Sequence, residues 1–193
     1  MTLGRAKTFE RRKRVFLGCE GESERSYGRF LSRITERKSL SISMDTVVVN
    51  GGSPRTMVQR AISMAREGAV KRGRYFFKAL LLDSDKLAES PKGARQEKLE
   101  LEGLAIRHNM LLIWQEPCHE GFLLRHINGC HSLAPPDCKN AQAMLLKQWP
   151  DYSKPIQVKV LEDRLGLQEI LTLARQESSF GLFLKKIGCV DSS

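Results

Sequence analysis

Four short apolar runs, residues 15–19, 46–49, 75–82 and 110–114, are separated by stretches whose apolar residues recur at helical spacing. That alternation leaves few folds open. A run of four to eight apolar residues makes a strand buried on both faces, and the helices between supply the crossovers that parallel neighbours need. Over residues 23–36, Tyr27, Phe30, Leu31 and Ile34 make one apolar helix face. Ser53 and Pro54 then suit a cap and a first turn, and Met57, Val58, Ala61, Ile62 and Ala65 continue that helix until it fades near Gly68. Residues 96–107 read as a third helix anchored by Leu99, Leu104 and Ile106, and residues 120–127 begin a fourth. Beyond the loop HSLAPPDCKN, helices are expected over 141–149 and 160–176. The fold class is therefore α/β: a parallel sheet of about four strands flanked by helices, with a helical C-terminal extension. The expected organisation is a basic segment over 1–14, a core over 15–130, and an extension over 131–193 packed on that core.

Right-handed crossovers put the carboxyl ends of all the strands on one edge, where ligands bind in such sheets. In VFLGCEGESERSY, residues 15–27, Glu20 directly follows the first apolar run, and Asp83 and Asp85 directly follow the third. Acids far apart in sequence would share one rim. In an extended segment Asp83 and Asp85 would point to the same side, with Cα atoms roughly 6–7 Å apart. They would offer carboxylates to a small hard cation, Mg²⁺ or Mn²⁺ in its place. The chain carries 32 Lys and Arg against 22 Asp and Glu, a net charge of +10. An acidic cradle on a basic protein suits a phosphodiester, whose backbone the cations hold while a metal neutralises the reacting phosphate. Glu20 can ligate that metal or exchange a proton. The same residues also have plainer readings. Asp-Ser-Asp after a strand makes a turn and a helix cap, and Glu22 and Glu24 opening a helix are favoured by its dipole.

The net charge makes a polyanion the natural partner. Residues 5–14 hold six Lys or Arg against one Glu, so Arg11, Arg12, Lys13 and Arg14 are candidates for gripping phosphates. Gly51, Gly52 and Ser53, just before a helix, present backbone N–H groups at its positive end and are a second candidate phosphate contact. No Gly-Lys-Ser/Thr follows, so this is not a Walker loop. The segment from Gly18 to Ser23 lacks the third glycine of a dinucleotide fingerprint, and Glu20 would repel a pyrophosphate, which excludes a Rossmann dehydrogenase. Cys19, Cys118, Cys130, Cys138 and Cys189 are odd in number and irregular in spacing, which suits a reducing cytoplasm. His126, Cys130, His131 and Cys138 fit no paired-ligand zinc spacing. No apolar stretch reaches the roughly 18–20 residues that span a bilayer, and the N-terminus does not read as a signal peptide.

Cys19-Glu20-Gly21-Glu22-x-Glu24-x-x-Tyr27 resembles the opening motif of the RloB-like proteins. These belong to the Toprim-fold group, with the catalytic domains of topoisomerases, primases and OLD-type nucleases. Leu82-Asp83-Ser84-Asp85 is similar to the Toprim Asp-x-Asp. The segment PCHEGFLLRH, residues 117–126, resembles the family's Pro-Cys-Phe-Glu-x-Trp-Leu-Leu-x-His, with His119 in place of an aromatic and Phe122 in place of Trp. Tyr152-Ser153-Lys154 is similar to a downstream Tyr-x-Lys. The resemblance runs in order over about residues 14–175 and implies a Toprim-like sheet. It also implies that Glu20 is a general acid or base, that Asp83 and Asp85 hold Mg²⁺, and that Glu120 is a further ligand. His126 and Lys154 would contact phosphate or stabilise the leaving group. Apart from the resemblance, Glu120 and His126 lie six apart on a helix, not on one face, and read as a capping acid and a half-buried histidine; Lys154 reads as a surface lysine. The expected function is a Mg²⁺-dependent nuclease in prokaryotic defence. Its partners would be DNA or RNA, an ATPase partner protein and a second copy of the chain, with no membrane involved. The alternative is a non-catalytic nucleic-acid-binding or partner-binding module. Nucleotidyl transfer, a third possibility, lacks a nucleotide site beyond the turn at residues 50–53.

Overall fold

Alternate residues of each strand enter two separate cores, one on either face of the sheet. The computed structural model describes residues 12–87 and 91–190. In chain order β1 (Lys13–Cys19), α1 (Glu22–Arg37), β2 (Ile42–Val48), α2 (Pro54–Arg72), β3 (Phe77–Asp83), α3 (Pro91–Arg107) and β4 (Leu111–Gln115) alternate. The extension follows as α4 (His119–Leu124), α5 (Cys138–Gln148), α6 (Val158–Arg164), α7 (Leu167–Gln176) and α8 (Ser178–Lys186). All strand pairs are parallel, in the order β2-β1-β3-β4. Val15, Leu17 and Cys19 of β1, with Ala79 and Leu81 of β3, face Tyr27, Phe30 and Leu31 of α1 and the aromatic side chains Phe122, Phe180 and Phe183. Phe16, Leu80, Leu82, Leu112 and Trp114 face Met57, Val58 and Ala61 of α2 and Leu101 and Ala105 of α3. The continuous apolar runs of β1 and β3 follow from this, because their successive residues meet helices on opposite faces of the sheet.

The order of the strands matters for the site. From β1 the chain moves outward to β2, then crosses back over β1 to β3 and on to β4. Connections therefore leave the carboxyl ends of β1 and β3 in opposite directions. Ligands in open α/β sheets bind in the crevice at such a switch point.

Several elements differ from their sequence-based expectation. β2 begins at Ile42, four residues before the apolar run at 46–49, because its pairing with Lys13–Cys19 continues through the polar Ser43 and Asp45. The single helix expected over 160–176 is two, α6 and α7, with Leu165 extended and Gly166 capping α7. The Gly166 N–H donates to Glu169 Oε2 at 2.9 Å, which turns the chain into a new axis. Helix α8 lies in the helical extension but beyond the last helix expected there, 160–176, and its Phe180, Phe183 and Leu184 are fully buried. Among the described residues no helix is long and apolar enough to cross a membrane.

α1 lies unusually close to the sheet at Gly28, where a Cβ would stand 2.7 Å from Thr46 Cγ2 and 2.9 Å from Leu17 Cδ2. Replacement of Gly28 by valine is expected to lower stability by about 1–3 kcal/mol, the usual cost of overpacking. Urea unfolding reads the change, and an unchanged midpoint would refute this close contact.

Candidate functional site

β1 ends at Cys19, the chain bends through Glu20 and Gly21, and α1 starts at Glu22. The Gly21 N–H donates to Glu24 Oε2 at 3.0 Å, so the third residue of the helix folds its carboxylate back to the strand end and is 7% exposed. β3 ends at Asp83, beside β1 in the sheet. Strand alternation places Asp83 on the face that Leu81 shares with α1. The Asp83 N–H reaches Glu20 Oε2 at 3.4 Å. Glu20, Glu24, Gly51, Asp83, Lys86 and Lys154 all border one cleft of about 600 Å³.

The electrostatics of the cleft centre on Asp83. Its Oδ1 is buried with no hydrogen-bond partner. Burial, and then the charges of Glu20, Glu24 and Asp85, push its pKa up to about 9, against the opposing influence of Lys154. Glu24 is also pushed up, chiefly by burial, while its bonds to backbone N–H groups and the charges of Lys154 and Lys86 pull the other way. A carboxyl group stranded among three other acids is stabilised by a cation or by keeping its proton. Two lysines partly answer this need. Lys86 pairs with Glu20, and Lys154 pairs with Glu120.

The residues expected from sequence separate into distinct groups. Glu20, Asp83 and Lys154 meet in the cleft. Glu120 lies behind Lys154 and is 2% exposed. It accepts from Tyr152 Oη at 2.9 Å and from Cys118 Sγ at 3.3 Å, so its oxygens are occupied and hold Lys154 at the rim. Asp85 does not share a side with Asp83 as an extended chain would require. The N–H groups of Ser84 and Asp85 both donate to the Pro117 carbonyl, at 3.1 and 3.0 Å, and turn the chain. Asp85 Oδ2 instead accepts from Cys138 Sγ at 3.1 Å. His126 does not reach the cleft. It is wholly buried against Tyr27, Phe122 and Phe180, with Nε2 2.8 Å from Tyr27 Oη and Nδ1 2.9 Å from the Phe122 carbonyl. Burial pulls its pKa down to about 3 and keeps it neutral.

Gly51 borders the cleft, while the Ser53 hydroxyl accepts from the Thr56 N–H at 3.2 Å and caps α2; Gly52 joins them with φ of 137°. Arg12, Lys13 and Arg14 lie at the opposite edge of the sheet. Lys13 opens β1, seven residues and roughly 23 Å of strand from Glu20. Arg14 turns inward, bonding Asp45 at 2.6 Å and the Gly73 carbonyl, with its guanidinium 4.3 Å from the Tyr75 ring centre. Arg11 lies outside the described residues. Lys86 and Glu24 were missed as site residues. The signals were local ones: a lysine directly after Asp-Ser-Asp, and a glutamate three residues after a glycine N-cap.

Among the described residues, no group of three or more His, Cys, Asp or Glu side chains is arranged to hold a metal ion. What fits a divalent cation is the donor chemistry: an unpartnered buried carboxylate oxygen on Asp83, with Glu20 beside it in an open cleft. Comparison with protein-family models, with curated proteins and with solved structures finds no match.

The raised pKa of Asp83 has a definite sign in stability. An unfolded aspartate titrates near 3.9. The folded chain, titrating at about 9, therefore holds an extra proton between those values. The stability linked to that proton is complete below about pH 4 and is lost as pH rises through about 9. Without divalent cations, Asp83→Asn should flatten the decline and be more stable than the parent at pH 9, by on the order of 1–3 kcal/mol. Urea midpoints across the pH range measure this, and parallel profiles for the two proteins would contradict it.

Proposed function

We propose that the protein is a Mg²⁺-dependent nuclease that hydrolyses phosphodiester bonds of DNA or RNA, on a Toprim-like sheet. The observation that carries this reading is Asp83: half-buried, with a buried and unpartnered Oδ1, and exposed to the charges of Glu20, Glu24 and Asp85 at the switch point of the sheet. Asp83 and Glu20 would hold the cation, with Asp85 adding charge from beside Cys138. Bound there, Mg²⁺ would neutralise phosphate charge and make hydroxide available near neutral pH. Glu20 exchanges the proton of the attacking water. Lys154, fixed by Glu120, and Lys86 orient the phosphate from the cleft wall. A role in prokaryotic defence, with an ATPase partner and self-assembly, belongs to the same reading and rests on the RloB-like resemblance.

One observation favours a second reading. The pairs Lys86–Glu20 and Lys154–Glu120 partly balance the crevice without a metal, as a non-catalytic nucleic-acid-binding module would need. The two readings part on a cleavage assay with plasmid DNA and structured RNA. A nuclease cuts at least one of them with Mg²⁺ and stops with EDTA. Glu20→Gln then cuts about 10²- to 10⁴-fold more slowly with its fold intact, the usual share of a general acid or base. Salt-sensitive binding without cleavage, indifferent to EDTA, would establish the binding module instead.

A further inference from the structure

The edge of the sheet formed by the amino ends of the strands bears a basic and aromatic surface that the crevice does not use. Lys13, Lys71, Arg72 and Arg74 are exposed there. Asp45 accepts from Arg14 at 2.6 Å, from Tyr75 Oη at 2.7 Å and from Arg72 at 3.2 Å, all on one oxygen. Among the described residues, Lys13, Lys71 and Arg74 have no carboxylate partner, so the cluster carries a clear positive excess. The C-terminal dipole of α2 accounts for Lys71 and Arg72. It does not account for Lys13 or Arg74, nor for Phe76, which is 51% exposed. That ring is held in place. Its backbone N–H donates to the Arg14 carbonyl at 2.7 Å, and Lys13 Nζ stands 5.0 Å from its centre.

We infer that this edge grips single-stranded nucleic acid, with a base stacked on Phe76 and the flanking phosphates held by Lys13, Lys71 and Arg74. A half-exposed ring beside unpaired cations matches how unpaired strands are held: every base has a face to stack, and the backbone tracks the positive charge. A duplex keeps its bases stacked on one another and has none to offer such a ring. The surface lies at the other end of β1 from Glu20, roughly 23 Å away along the strand, so grip and chemistry reside at separate places. The inference rests on the protein acting on nucleic acid, and does not depend on cleavage.

The test is fluorescence anisotropy of the whole chain with a short oligothymidylate and with a matched duplex, in EDTA and again with Mg²⁺, between about 50 and 200 mM salt. The parent should bind the single strand with a steep salt dependence. Phe76→Ala should weaken single-strand binding by about five- to tenfold, as loss of one stacked base does, and leave duplex binding unchanged. The double variant Lys71→Glu with Arg74→Glu should lose more than about tenfold and show a shallower salt slope. Circular dichroism and urea midpoints matching the parent establish that these exposed changes leave the fold intact. Parental affinity in both variants, or an equal loss for duplex and single strand in Phe76→Ala, overturns the inference. Binding that appears only with Mg²⁺ and vanishes in Asp83→Asn overturns it too, while sustaining the crevice as the nucleic-acid site. Edge-dependent binding without any cleavage supports the inference and removes the nuclease reading.

Discussion

The parallel pairing of β1 with β3 is the constraint on which the crevice depends. Val15 to Gly18 align with Phe77 to Leu80, so the carboxyl ends of two strands distant in sequence finish side by side. Asp83 lies three residues beyond the last aligned position and Glu20 two beyond it. Gly18 permits this approach, since a Cβ there would stand 2.8 Å from Leu80 Cδ1. The two apolar cores fix the register, because a one-residue slip would turn Leu81 and Leu82 to the wrong faces and swing Asp83 away from α1. Hydrophobic packing thus forces together carboxylates that would otherwise repel.

The surroundings compensate for that repulsion in three ways. The N-terminus of α1 presents its positive end to Glu22 and Glu24. Lys86 and Lys154 enter from separate segments and pair with Glu20 and Glu120. The proton that Asp83 retains up to about pH 9 removes the last charge when no cation is present. Each device leaves Asp83 Oδ1 without a partner of its own. The opposite edge of the sheet inverts the pattern, with Arg14 and Arg72 both converging on the carboxylate of Asp45.

The sheet and its rim were legible because both are written in contiguous residues. Apolar runs mark β1, β3 and β4, and the acids that follow β1 and β3 fall on one edge through the handedness of crossovers. What escaped depends on contacts between distant segments. The Pro117 carbonyl captures the backbone of Ser84 and Asp85, which breaks the extended geometry assumed for Asp83 and Asp85. His126 carries a polar ring that sequence cannot place, and Tyr27, ninety-nine residues away, receives it inside the core. Arg14 belongs to a basic run but is turned inward by Asp45 and Gly73. Helix α8 falls within the extension expected over 131–193 but beyond its last assigned helix, 160–176: Phe180, Phe183, Leu184 and Ile187 recur at helical spacing, and the polar residues 175–179 interrupt the apolar pattern just before them.

The central claim is that the crevice holds an aspartate in want of a cation, and the titration of that one side chain tests it most directly. Carboxyl ¹³C NMR, assigned by comparison with Asp83→Asn, follows Asp83 as pH is raised with and without Mg²⁺. The account predicts ionisation at about 9 in the metal-free protein and a fall of several units when Mg²⁺ is added. Titration near the ordinary value of about 3.9, unmoved by Mg²⁺, would contradict it.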